Sequence, residues 1–134
     1  MRAPGMRYRV FLLIVVVGSA MLTACSPAQA TTSRTMPNAT LVAAGRDAAL
    51  RYGCLGCHSL DGSPLAGPTW KGLYERRLTF TDGSTAVADE SYLEESIKDP
   101  LAKVIQGFPP VMPPRMPVSD EEVRAIVAFM KSLN

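Results

Sequence analysis

The chain has 134 residues, 47% of them apolar, with 14 basic against 12 acidic side chains and a single histidine. That length bounds one domain with short appendages. The charges are scattered and form no basic patch of the kind that nucleic acid requires, so a nucleic-acid partner is excluded.

Residues 1–9 carry Arg2, Arg7 and Arg9 and no acid, and residues 10–24 are mostly apolar. Fifteen residues fall short of the roughly 20 that a membrane-spanning helix needs. A basic head before a short apolar run predicts an export signal over residues 1–24. Three endings compete. Leu22-Thr23-Ala24-Cys25 is like a bacterial lipobox, in which Cys25 becomes the first mature residue and carries lipid. Ala28-Gln29-Ala30 is an A-x-A site whose cleavage would release a soluble protein. An uncleaved anchor is the third. The cysteine count favours the lipobox: an odd thiol in an oxidising compartment needs an explanation, and lipidation supplies one. Stable anchoring would then take more than one acyl chain.

Removing the first 24 of 134 residues leaves 110, and the loss of three arginines leaves 11 basic against 12 acidic residues. The small positive excess therefore belongs to the signal. Residues 25–38 are rich in Ser, Thr, Pro, Ala and Gln with one charge, Arg34, and predict a flexible, lipid-held tether. Its r.m.s. span is roughly 20 Å and its full reach roughly 40 Å. The folded domain is expected over residues 39–134.

Residues 40–52 are rich in Ala, Leu and Arg and predict a first helix ending at Gly53. Gly45 inside it asks for a packing reason. Cys54-Leu55-Gly56-Cys57-His58 follows at once. Cys-x-x-Cys-His is the spacing of c-type haem attachment: each thiol can form a thioether to one vinyl group, and the adjacent imidazole then falls on the iron. One motif means one haem, haem c, held covalently by Cys54 and Cys57 with His58 on the metal. Three other readings fit less well. A redox Cys-x-x-Cys wants a βαβ context that is missing. A structural zinc site wants four Cys or His ligands, and only three stand together. Two structural cysteines would have no use for the histidine.

Residues 60–71 hold two glycines and two prolines and predict a loop. Leu78-Thr79-Phe80-Thr81, Asp82-Gly83 and Ser84-Thr85-Ala86-Val87 predict a short hairpin with a two-residue turn. Residues 89–98 predict a second helix with Asp89 as N-cap, ended by Pro100. Residues 101–106 are expected to add a helical turn. Phe108-Pro109-Pro110-Val111-Met112-Pro113-Pro114 can be neither helix nor central strand. Ser119-Asp120-Glu121-Glu122 opens a capping box, and Val123, Ile126, Val127 and Met130 form the apolar stripe of a last helix.

In this order of elements the chain resembles the class I cytochrome c family, and within it the cytochrome c domains fused to subunit II of bacterial caa3-type oxidases. The resemblance covers about residues 40–133 and rests on Tyr52-Gly53-Cys54-Leu55-Gly56-Cys57-His58-Ser59, Gly67-Pro68-Thr69-Trp70-Lys71-Gly72-Leu73-Tyr74, Asp82-Gly83-Ser84, the stretch from Ala88 to Ile97, and Gly107-Phe108-Pro109-Pro110-Val111-Met112-Pro113. It implies an all-α class I cytochrome c fold, about three to five short helices around one covalent haem with a small β-hairpin insertion. The copper-binding domain that precedes such modules in the oxidases has no counterpart here, so a stand-alone chain is expected. Thioether haem attachment in the family takes place outside the cytoplasm, which agrees with an export signal.

The residues leave the sixth iron ligand open between two methionines. No second histidine exists, and methionine raises the potential of a haem. Met36 falls in the tether, and Met130 falls on the last apolar stripe, a packing position. Met112 and Met116 remain. Proline neighbours stiffen the loop around Met112, and the resemblance places the ligand there. By resemblance, the Pro68 carbonyl accepts the second ring N–H of His58, Trp70 brings its indole N–H to a haem propionate, with core packing as the alternative, and Arg76 lies near a propionate or is a solvated charge, since Glu75 stands where the family usually has glycine. Gly45 and Phe129 are expected to mark the crossing of the first and last helices.

The function these readings imply is one-electron transfer in a bacterial respiratory chain, with no enzyme activity and no small-molecule substrate. By resemblance a quinol-oxidising complex is the donor and a terminal oxidase the acceptor, on the extracytoplasmic side of a membrane that the chain reaches through its lipid anchor. The same chemistry would serve a fixed subunit of a larger complex. A haem enzyme or gas sensor would need an open distal site. The mature chain has only Lys71, Lys98, Lys103 and Lys131, too few for a dense ring of docking lysines.

Overall fold

The computed structural model describes residues 38–134. The export signal, Cys25, the A-x-A site and nearly all of the tether lie outside the described residues. Among those described, no helix is long and apolar enough to cross a membrane.

Helix α1 spans Asn38–Arg51. It begins two residues before the expected start. Gly45, Ala48 and Ala49 are its buried positions, a stripe of small side chains at helical spacing. Gly53 follows at φ 73, the left-handed conformation that glycine adopts without penalty just past a helix end.

The hairpin pairs β1 (Arg77–Thr79) with β2 (Thr85–Val87), antiparallel, with Leu78 opposite Ala86. The expected two-residue turn at Asp82-Gly83 is instead a three-residue loop, 81–83, inside a Phe80 N–H to Ser84 C=O bond of 2.9 Å. The register explains it. Pairing Leu78 with Ala86 puts buried Leu78 and half-buried Ala86 on one face and leaves Val87 42% exposed. A shift by one residue would turn Val87 inward against Leu78. The Asp82 carboxylate accepts the Ser84 N–H at 2.9 Å and Gly83 sits at φ 83, a type of loop that hairpins commonly use.

Helix α2 spans Glu90–Lys98, and its N-cap Asp89 accepts the Tyr92 N–H at 2.8 Å. The helical turn expected over residues 101–106 is not formed. That stretch pairs with the hairpin: Thr81 N–H donates to Val104 C=O and Gln106 N–H to Thr79 C=O, each at 2.9 Å. These bonds flank the Phe80–Ile105 bridge. The open edge of β1 supplies backbone partners that a lone helical turn could not match.

Helix α3 spans Asp120–Lys131 and starts with the expected capping box of Ser119 and Glu122. Val123, Ile126, Val127 and Met130 are all buried, at most 3% exposed. The main helix crossing is α1 on α3. A Cβ built on Gly45 would stand 1.9 Å from the Ala125 carbonyl oxygen, so the two backbones touch there. The nearest atoms are backbone. The Phe129 ring, expected at this crossing, lies one turn further along and meets Trp70 edge-on at 6.2 Å.

Glu122 also ties the helices together at their other end. Its carboxylate accepts from Arg51 at 2.6 Å, from the Tyr52 hydroxyl at 3.0 Å and from the Ser119 N–H at 3.0 Å. The bonds from Ser119, then that from Tyr52, hold this carboxyl down to about 2 from its ordinary 4.5. A depressed carboxyl stabilises the fold above its unfolded pKa and loses that contribution as pH falls through its folded value. Denaturant midpoints should therefore drop as pH falls from about 4.5 towards 2. Glu122→Gln, which keeps a capping-box side chain, should fall less steeply over that window. Equal slopes for the two proteins in acid-titrated urea unfolding would contradict this role.

Candidate functional site: an apolar cleft with a fixed imidazole

The segment after Gly53 is a 3₁₀ turn, Cys54–Gly56. Cys54 opens this turn and Cys57 caps it. The Cys54 carbonyl accepts both the Cys57 N–H at 3.2 Å and the His58 N–H at 3.0 Å, so the whole motif is one closed unit. Cys54 is half-buried and Cys57 exposed. Burial pushes the Cys54 thiol up from its ordinary value. Cys54, Cys57 and His58 do not converge. Among the described residues no three His, Cys, Asp or Glu side chains could hold a metal ion together, which counts against the zinc reading.

His58 Nδ1 lies 2.8 Å from the Pro68 carbonyl oxygen. A carbonyl can only accept, so Nδ1 carries the proton and the lone pair is on Nε2. Burial lowers the imidazole pKa from 6.5, against the opposing pull of the Pro68 carbonyl. The ring is therefore neutral near pH 7 and competent as a ligand. Two further walls hold it. A Cβ on Gly67 would come within 2.5 Å of Cε1 and 2.8 Å of Nδ1, so only glycine fits there. Trp70, 4% exposed, stacks on the ring with centroids 5.3 Å apart and planes at 28°.

Beside the imidazole opens a cleft of about 1090 Å³ of empty space, its mouth included. Cys57, His58, Pro68 and Trp70 line it, together with Leu93, Ile97 and Phe108, and so do Met112, Met116 and Met130. Met112 and Met116 are both half-buried. Lys103 is the one charged side chain in the lining, and it is paired with Glu95.

Of the residues singled out in the sequence, the structure brings Cys57, His58, Pro68, Trp70 and Met112 to this cleft, with Cys54 half-buried one turn away. Arg76 stands apart. It is exposed, outside the lining, and donates to the Lys71 carbonyl at 3.2 Å. Glu75, at the position expected to favour glycine, takes φ 63. Sequence reasoning missed Gly67 as a wall of the site and the stack of Trp70 on His58. The Gly67-Pro68 pair was a signal for the first. The second joins residues twelve apart through a loop and left no local trace.

An oriented imidazole, a Cys-x-x-Cys pair next to it in the chain and an apolar cleft suit a flat, largely apolar group carrying a metal. These features define a c-type haem-binding domain on an all-α class I cytochrome c fold. The family model described as cytochrome c matches residues 42–134, and the chain belongs to the cytochrome c family, whose members hold haem c covalently and carry electrons. The chain is also similar to cytochrome c oxidase subunit 2 of Alkalihalophilus pseudofirmus, 35% identical over 98 residues. That alignment takes in 72% of this chain and 27% of the relative, so the chain spans about a quarter of the relative's length.

Gly67→Ala should push the imidazole off the Pro68 carbonyl. We expect a loss of about 1–3 kcal/mol of stability, as for other overpacked sites. The downfield Nδ1–H proton resonance should disappear with it. An unchanged resonance and denaturant midpoint would show that the ring has room to spare.

Proposed function

We propose that the chain is a mono-haem one-electron carrier. The observation that carries this reading is the imidazole held with its Nε2 free beside an apolar cleft lined by Met112, Met116 and Met130. Cys54 and Cys57 provide the thioether bonds. His58 and Met112 would hold the haem iron through nitrogen and sulfur. A bound haem would supply one iron able to take up and give back a single electron. The protein's own part is to fix the imidazole, to lower the dielectric around the ring and to hold the thioether in a proline-stiffened loop. That is a carrier's task and not an enzyme's.

Cys25 carries the lipid anchor, and the domain works outside the cytoplasm on its tether. A quinol-oxidising complex is the donor and a terminal oxidase the acceptor. Similarity to an oxidase subunit favours a second reading, in which the chain is a fixed subunit of such a complex. Co-migration of haem with a larger complex in mild detergent separates the two.

The test begins with acid denaturation and organic extraction of the exported protein, after which the haem should stay with the polypeptide. The ferric protein should show the weak red-edge absorption band of iron–thioether ligation. Met112→Ala should lose that band. Loss of haem on extraction, or carbon monoxide binding readily to the reduced parent, would overturn the reading.

The lining of the cleft also bears on docking. Its one cation is neutralised by Glu95, so long-range steering has little to act on at this face. Electron-transfer rates with a soluble acceptor should change little between low and moderate salt in stopped-flow experiments. A steep fall would show that charges elsewhere on the surface guide the encounter.

A further inference from the structure

The resemblance implies a place for the Trp70 indole N–H near a haem propionate, with core packing as the alternative. The geometry points to a role for its ring face, and we propose that Trp70 is a positioning residue that fixes the plane of the His58 imidazole. The proposal rests on His58 being the iron ligand.

A hydrogen bond at one nitrogen leaves a ring one freedom. His58 can still rock about the line from its Cβ to the Pro68 oxygen without losing the 2.8 Å contact. Removing that freedom takes a flat surface against the ring. Trp70 provides one, with centroids 5.3 Å apart and planes 28° apart. Gly67 closes a second approach, since not even a methyl group fits between its backbone and the ring.

Trp70 is itself well placed to act as a wall. Its backbone N–H donates to the Ser59 carbonyl at 2.9 Å, which ties it to the residue after His58. Phe129, 6% exposed, meets its ring edge-on at 6.2 Å. Phe129 belongs to α3, whose backbone rests on Gly45 of α1. A chain of ring contacts thus runs from α3 through Trp70 to the imidazole. The orientation of the ligand is referred to the α1–α3 crossing as well as to the Gly67-Pro68 segment. Outer contacts of this kind set the orientation and basicity of a metal-bound histidine.

The imidazole plane governs how the iron d orbitals split. It is read directly by the g anisotropy of the ferric protein and by the spread of its haem methyl proton shifts. Neither quantity follows stability. The experiment uses the holoprotein and its Trp70→Phe, Trp70→Leu and Phe129→Leu variants, after the parent has been shown to be low-spin with nitrogen and sulfur ligands. A parent without that signature removes the proposed ligation, and the role of Trp70 with it, before any variant is compared.

Trp70→Phe keeps a ring face and loses the N–H, so it should match the parent in g values and methyl shifts. Trp70→Leu loses the face and should move both. Phe129→Leu should move them in the same direction by less, and it decides the matter with Trp70→Phe if Trp70→Leu yields no folded holoprotein. Two results would overturn the proposal. If Trp70→Phe departs from the parent as far as Trp70→Leu does, the N–H is what matters and the residue serves a propionate. If the leucine variants only lower the thermal midpoint with spectra unchanged, Trp70 is plain core.

Discussion

The site depends on the contact between His58 Nδ1 and the Pro68 carbonyl. As a hydrogen bond it is worth only about 1 kcal/mol, but it decides which nitrogen carries the proton and therefore which one is free for a metal. The carbonyl is held as firmly as the ring. Gly67 N–H donates to Cys57 C=O at 2.8 Å, and Trp70 N–H and the Thr69 hydroxyl both donate to Ser59 C=O, at 2.9 and 3.1 Å. Residues 57–59 and 67–70 are thus strapped together on both sides of the contact. The loop between them is short, so its closure costs little entropy. Donor and acceptor belong to one small strapped unit.

That unit is mounted on the crossing of α1 and α3. Small residues at Gly45, Ala48 and Ala49 let the α3 backbone approach α1 directly. Close approach brings Val123 and Ile126 to almost complete burial without large side chains on α1. A domain of this size has little apolar surface to bury, and a cleft lined largely by apolar side chains leaves part of that surface facing the cavity. A flat apolar group seated there would complete the core as well as perform the chemistry. The same economy explains why Glu122 gathers three partners from two helices: one carboxylate closes the α3 N-terminus and fixes the end of α1 next to the cysteine motif.

How much of this could be read in the sequence depends on the range of the interaction. The Cys54–His58 motif, the Ser119–Glu122 capping box and the Asp89 cap are local, and each was legible. So was the apolar stripe of α3, because one helix face repeats at a fixed interval. The hairpin loop was misjudged by one residue because Asp82-Gly83 suits both a two-residue turn and the end of a three-residue loop. Only burial of Leu78 against Ala86 decides between them. Residues 101–106 look locally helical, and they are drawn into pairing by a strand edge more than twenty residues earlier. Phe129 was expected against Gly45 from residue sizes alone. Its edge-on contact with Trp70 follows from the loop that brings Trp70 against the histidine.

Two non-glycine residues in the left-handed region, Glu75 at φ 63 and Arg115 at φ 57, lie where the chain must change direction sharply. Each such residue costs roughly 1–2 kcal/mol, and strain of this kind survives only where the surroundings over-determine it. For Glu75 the determinants are visible: its N–H donates to Ala88 C=O at 3.0 Å and the next N–H, of Arg76, donates to Leu73 C=O at 3.1 Å, so the turn into the hairpin is fixed on both sides. Arg115 lies between Pro114 and Met116, with Pro113 and Pro117 beyond them. Prolines fix φ at their own positions and restrict the residues before them, so the reversal falls on the one residue free to make it. The reversal lets Met112 and Met116 both return to the same cleft from a loop of five residues. A loop stiffened in this way has already lost most of the freedom that gripping a metal would remove, so the sulfur it presents would bind with little further entropic cost.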